Sequence, residues 1–378
     1  MSAGDVKAES RASDYRCDQV GSLLRPPHLL DARDAFKTGQ IDRQALRAAE
    51  DKAVLEVLQV QKDAGMAIFT DGEMRRDSWQ TVFSEAVDGF EEKYPIREFK
   101  RPDGTVARLQ MHTKAITGQV RQKQRLAGVD AAFLSGHAPG PFKITMPSPA
   151  MIARQSYRRG DTDKAYPDAN ALRVDLGDIV TGEMKALARE GCAYLQLDEG
   201  FTVYADPARL AIMVEEGLDA DQALEEDIAL ENACYDAVRR PGLTLAMHLC
   251  RGSRAGFARG KGGYDWLAER LFELLHVDRY LLEYDSDKVG GFEPLRHLPK
   301  GKVAVLGLVS STNPRLESRD ELLRRIESAA EHCPIERLAI SSQCGFQGAA
   351  TRDGAHMSFD DQRRKLERIG EVAQEVWG

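Results

Sequence analysis

The sequence contains no apolar run of about eighteen residues, the length a membrane-spanning helix requires. Its N-terminus, MSAGDVKAESRASDY, lacks the apolar core of a secretory signal, and residues 1–14 read as a disordered leader. A cytoplasmic location is the default expectation. There is no excess of positive charge: the 378 residues carry a formal net charge of -8, which counts against nucleic acid or a membrane surface as partner. No P-loop spacing or internal repeat occurs, and no GxGxxG fingerprint supports a doubly wound open sheet, the alternative to a barrel. Cysteine is sparse, with six in the chain, and in a cytosolic protein of this length they read as free thiols. Nothing in the sequence indicates an oligomeric state.

What the sequence does contain is an alternation of short apolar runs and amphipathic stretches. Asp42 to Gly65 has apolar residues at helical spacing and a glycine stop. Similar patterns span Asn170–Gly191, Asp221–Arg239, Tyr264–Leu275, Ser318–His332 and Phe359–Trp377, and Ser318 with Glu321 reads as a capping box. The apolar runs are DQVGS, MAIFTDGE, FKITMPS, AYLQLDE, LTLAMHLC, RYLLEYD, VAVLGLVS and LAISSQC. Several are apolar throughout, as expected of parallel strands covered on both faces. Eight such runs predict a (β/α)8 TIM barrel over residues 15–378. A charged excursion, about residues 75–140, falls between the second and third strands, and Asp103–Val120 within it alternates like a hairpin after an Asp-Gly turn.

In a barrel the C-terminal strand ends converge on one face, where active sites are built. The runs end in residues with chemistry: Ser22, Asp71 and Glu73, Ser148, Asp198 and Glu199, His248 and Cys250, Glu283 and Asp285, Ser310, and Cys344. His248 and Cys250 share one side of their strand, because side chains repeat every two residues. With Glu283 and Cys344 they form a nitrogen, oxygen and sulfur set that suits tetrahedral zinc. Two thiolates and a carboxylate would make that site electron-rich, favouring activation of a bound thiol. The alternative is structural: an isolated HxC, a carboxylate pairing a helix arginine and a buried thiol. A second group, Ser22, Glu73 and Asp198, could hold the carboxylate and ammonium of an amino acid. Alternatively, Glu73 and Asp198 pair with Arg25, Arg75 or Arg76. MPSP (Met146–Pro149) reads as a rigid loop, and RGKGGYDW (Arg259–Trp266) as a mobile one.

The motifs VGSLLRP, TDGEMRRDSW, LQLDEG, MHLC, LLEYD and SSQCGF resemble, in this order, those of the catalytic barrel of cobalamin-independent methionine synthase. The resemblance runs from about Asp18 to the C-terminus and is to the short single-barrel branch, which includes the epoxyalkane:coenzyme M transferases. It implies one zinc ion per chain, held by His248, Cys250, Glu283 and Cys344, and amino-acid contacts at Ser22, Glu73 and Asp198. It also implies a small-molecule thiol and an alkyl donor as partners. The full-length synthase has an IHSP motif with a histidine where this sequence reads SSTNP (Ser310–Pro314), and no counterpart of its second barrel is expected. Both departures count against folate-dependent synthesis, and no general acid is assigned. The expected activity is zinc-dependent S-alkyl transfer, first of all a methyl group to homocysteine or a similar thiol. The alternatives are epoxide opening by coenzyme M, a metal-free decarboxylase of the uroporphyrinogen type, and a non-catalytic thiol or metal sensor.

Overall fold

The computed structural model describes residues 15–93, 96–100, 106–110, 113–215, 219–249, 253–254, 257–258, 263–286, 290–351 and 357–378. The expected leader, Cys250 and the first half of RGKGGYDW (259–262) lie outside the described residues. So does the Asp103-Gly104 turn.

Among the described residues are twelve strands. Four belong to the excursion: β1 (Val87–Lys93), β2 (Ile96–Lys100), β3 (Val106–Gln110) and β4 (Thr113–Gln122). Then follow β5 (Lys143–Pro147), β6 (Tyr194–Glu199), β7 (Thr244–Leu249), β8 (Ser253–Arg254), β9 (Phe257–Ala258), β10 (Arg279–Glu283), β11 (Val303–Val309) and β12 (Leu338–Ser342). Strands β5, β6, β7, β10, β11 and β12 form one parallel sheet, each hydrogen-bonded to the next in that order. Every residue of these six strands is buried, which explains their apolar runs.

The first two apolar runs are not regular strands. Each contributes a single parallel bridge, Cys17 to Ile340 of β12 and Phe69 to Phe142 just ahead of β5. The Ala67 amide donates to the Cys17 carbonyl at 3.3 Å, so the two segments link the edges of the six-stranded sheet. In the second run the backbone turns at Gly72 and Glu73, both at positive φ (64° and 59°). The architecture is the expected (β/α)8 type. Side-chain alternation separates two apolar clusters. Tyr194, Ala246, Leu281, Val303, Val305 and Ala339 pack inside the ring with Tyr15 and Ile68. Leu195, Leu197, Ala304, Leu306 and Leu308 face the surrounding helices.

The interior also holds a polar layer. Lys143 Nζ donates to Asp18 Oδ1 (2.7 Å) and Gln196 Oε1 (3.1 Å), and Tyr194 Oη donates to Asp18 Oδ2 (3.0 Å). Gln196 Nε2 in turn reaches Asp198 Oδ1 at 2.8 Å, so the layer braces a carboxylate nearer the mouth. Burial pulls the Lys143 pKa down, and contact with Asp18 opposes that pull.

Three local expectations are corrected. Among the described residues the strands within Asp103–Val120, β3 and β4, do not pair with each other. Instead β3 pairs back with β2 and β4 with β1, both antiparallel, because each alternating segment finds its partner upstream. MPSP is not a loop: Met146 and Pro147 complete β5, Ser148 caps the helix Pro149–Ser156, and Pro149 occupies its first turn. Ser318 caps its helix through the Glu321 amide, but the Glu321 carboxylate lies on Arg315 (3.0 and 3.1 Å) instead of completing the box. The reciprocal capping box is found at Ser358 and Asp361. No helix among the described residues is long and apolar enough to cross a membrane.

Candidate metal and substrate site

Register determines what meets at the C-terminal mouth. Across β6 and β7, Asp198 lies opposite His248; across β7 and β10, His248 lies opposite Leu281. Glu283 ends β10 and Cys344 follows β12 by two residues. His248, Glu283 and Cys344 each offer one donor atom, and the three atoms all lie within 4.8 Å of one another. His248 and Glu283 are buried, and Cys344 is half-buried. Three of the four expected ligands thus converge; Cys250 lies outside the described residues.

The donor chemistry fits zinc. His248 Nε2 is 3.6 Å from Cys344 Sγ. Zinc–nitrogen and zinc–sulfur bonds of about 2.1 and 2.3 Å at a tetrahedral angle set nitrogen and sulfur ~3.6 Å apart. A thiol–imidazole hydrogen bond has the same length, so the case for a metal rests on the buried Glu283 joining the pair. His248 Nδ1 lies 3.3 Å from the Leu281 carbonyl, an acceptor only, which favours the proton on Nδ1 and the lone pair on Nε2. The Tyr264 hydroxyl ties the two strand ends, donating to the Leu249 carbonyl (3.3 Å) and accepting from the Glu283 amide (2.9 Å).

The second group lies beside the first. An added Cβ at Gly345 would stand 2.0 Å from Ser22 Oγ, so glycine there lets the chain after Cys344 lie against Ser22. Gly21 in turn approaches Glu73 Oε1 and Thr145. Glu73 Oε1 accepts from Thr145 Oγ1 at 3.1 Å and lies 3.3 Å from the Arg76 guanidinium. Its Oε2 is buried with no hydrogen-bond partner among the described residues. Asp71 Oδ2 is in the same condition. A buried carboxylate oxygen without a donor is costly unless a ligand supplies one. Glu73 is also the one non-glycine at positive φ among the described residues, a strain that concentrates at functional positions.

Of the arginines expected as alternative partners, Arg76 does pair with Glu73. Arg25 donates to the backbone carbonyls of Glu73 (2.9 Å) and Leu23 (3.2 Å), and Arg75 pairs with Asp51 and Asp130. Burial lowers the Arg25 pKa to about 10, which leaves it charged at neutral pH. Glu199 takes no part in the mouth. It faces the helices, accepts from Ser148 Oγ and Arg154, and is pushed up by burial and by Asp227. Sequence reasoning missed Thr145 and Gln343, whose Nε2 donates to Glu283 Oε2 at 3.2 Å. Both stand inside the motifs FKITMPS and SSQC, and that nearness was the available signal.

The family model for the catalytic domain of cobalamin-independent synthase matches residues 17–359. The uncharacterized protein YxjG of Bacillus subtilis (strain 168) is 34% identical over 96% of this chain and 95% of its own. A methionine synthase of Pyrococcus abyssi is 26% identical, covering 87% of this chain and 85% of its own. The crystal structure of a candidate vitamin-B12-independent methionine synthase from Listeria monocytogenes superposes with a TM-score of 0.70 and 27% identity, covering 98% of this chain and 100% of that one.

Proposed function

Because the chain belongs to the family of cobalamin-independent methionine synthase catalytic domains, we propose that it is a zinc-dependent thiol S-alkyltransferase whose first activity is methyl transfer to homocysteine or a similar thiol. The reading takes residues 15–378 as one barrel domain with the excursion at about 75–140. The convergence of His248, Glu283 and Cys344 within 4.8 Å carries it, with Cys250 proposed as the fourth ligand.

A bound zinc ion would supply a site where a thiol is deprotonated at neutral pH and presented as a nucleophile. The protein's own groups do the rest. Leu281 fixes the His248 tautomer, and Gln343 and Tyr264 hold the end of β10. Glu73 and Asp198 would take the substrate ammonium, with Thr145 and Arg76 holding Glu73 and Gln196 holding Asp198. Ser22, against Gly345, would meet the substrate carboxylate. Substrate sulfur then lies beside Cys344 and forms a bond to the donor carbon as the bond from that carbon to its leaving group breaks.

Two buried carboxylates in the substrate pocket favour an amino thiol over a thiol sulfonate, since they attract an ammonium and repel a sulfonate. The test crosses homocysteine, coenzyme M and glutathione with methyl donors and epoxides, read by mass spectrometry. S-methylation of homocysteine supports the proposal. Epoxide opening with coenzyme M overturns the substrate assignment, and turnover without a thiol by metal-free protein overturns the reaction class.

A further inference from the structure

Gln343 immediately precedes Cys344 and is buried. Its backbone amide donates to the Val309 carbonyl at 2.8 Å, which seats it where β11 and β12 shift register. Gly307 permits that approach: a Cβ there would stand 2.8 Å from the Gln343 Cα. The side chain reaches two ways. Oε1 accepts from the Ser311 amide at 3.4 Å, and Nε2 donates to Glu283 Oε2 at 3.2 Å. The carboxylate accepts only and the amide N–H donates only, so the two partners fix which way the amide points.

We propose that Gln343 is a positioning residue that holds the Glu283 carboxylate in its metal-binding orientation. The inference rests on the zinc reading of the preceding section. An amide suits this task better than a cation. Lysine or arginine would neutralise Glu283 and compete with the metal for its charge, whereas a neutral donor orients the carboxylate and leaves the charge intact. By engaging one oxygen, Gln343 favours attachment of the metal through the other. It also links Glu283 to Ser311, in the segment that follows β11.

The experiment is a zinc titration against a chromophoric chelator at mildly alkaline pH, on wild type, Gln343→Met and Gln343→Glu, with melting curves of each metal-free protein. Methionine keeps the length and removes both contacts. Glutamate keeps an acceptor for the Ser311 amide but presents oxygen, in place of N–H, to Glu283. We expect both variants to lose zinc affinity by roughly 10- to 100-fold, the usual cost of removing a partner of a metal ligand, while their metal-free forms melt as wild type does. Wild-type affinity in Gln343→Glu would reduce Gln343 to a brace for the loop and overturn the inference. So would a fall in metal-free melting temperature in both variants large enough to explain the loss. If wild type itself binds no zinc, the metal reading fails first, and the two failures are told apart by that control.

Discussion

Glu73 divides its two carboxylate oxygens between two tasks. Thr145 and Arg76 hold Oε1, and Oε2 is left in a buried setting without a donor among the described residues. A substrate ammonium would complete it. Glu73→Gln is therefore expected to raise KM for an amino thiol by roughly 10- to 100-fold, the worth of one charge-assisted hydrogen bond. A thiol lacking the amino group should show no difference between the two enzymes. Steady-state kinetics with both thiols check this, and an equal rise for both would assign Glu73 to the fold. At this scale the converging residues His248, Glu283 and Cys344 were legible because their types are chemically distinctive and end apolar runs. Gln343 and Thr145 were not. An amide or a hydroxyl acquires a role from the atoms folding places beside it, and its sequence neighbours do not reveal those atoms.

At the scale of elements, the last strand and the first segment meet through Gly345 and Ser22. A Cβ at Gly345 would lie 2.0 Å from Ser22 Oγ and 3.1 Å from Ser22 Cβ. Gly345→Ala is expected to cost about 1–3 kcal/mol of stability, the usual penalty for overpacking, and to weaken zinc binding by displacing Cys344. Denaturant melts of the metal-free protein, together with a zinc titration, measure the two effects. Unchanged values for both would show that Ser22 yields freely. The six strands of the main sheet were legible because both of their faces are buried, which leaves continuous apolar runs. The first two segments looked alike in sequence, yet each makes one bridge. Their polar ends, VGS and TDGE, carry Ser22 and Glu73, and the second turns at Gly72 and Glu73. Within the excursion the strands were legible but not all of their partners. Alternation identifies a strand but not its partner, and β3 and β4 pair with upstream segments.

For the molecule as a whole, stability should carry a signature of the charges buried beneath the mouth. Burial and nearby Asp71 push Asp130 up from 3.8 to about 7, against the pull of Arg76 and Arg75. Between those values the folded chain holds a proton on Asp130 that the unfolded chain has released. Its contribution is therefore fully present below the unfolded pKa and is lost as pH rises through the folded one. Measured on metal-free protein, wild type should lose stability relative to Asp130→Asn as pH rises from about 4 to about 7. A flat difference across that range would mean that the two arginines keep Asp130 ionised throughout.

The whole proposal stands or falls with the metal. Zinc content of the purified protein, measured by mass spectrometry for wild type and for Cys344→Ser alongside thiol turnover, addresses it in one experiment. The expected result is about one zinc per wild-type chain, with metal and turnover lost together in the variant. Full thiol alkylation by metal-free wild type, or by a Cys344→Ser protein without zinc, would contradict it.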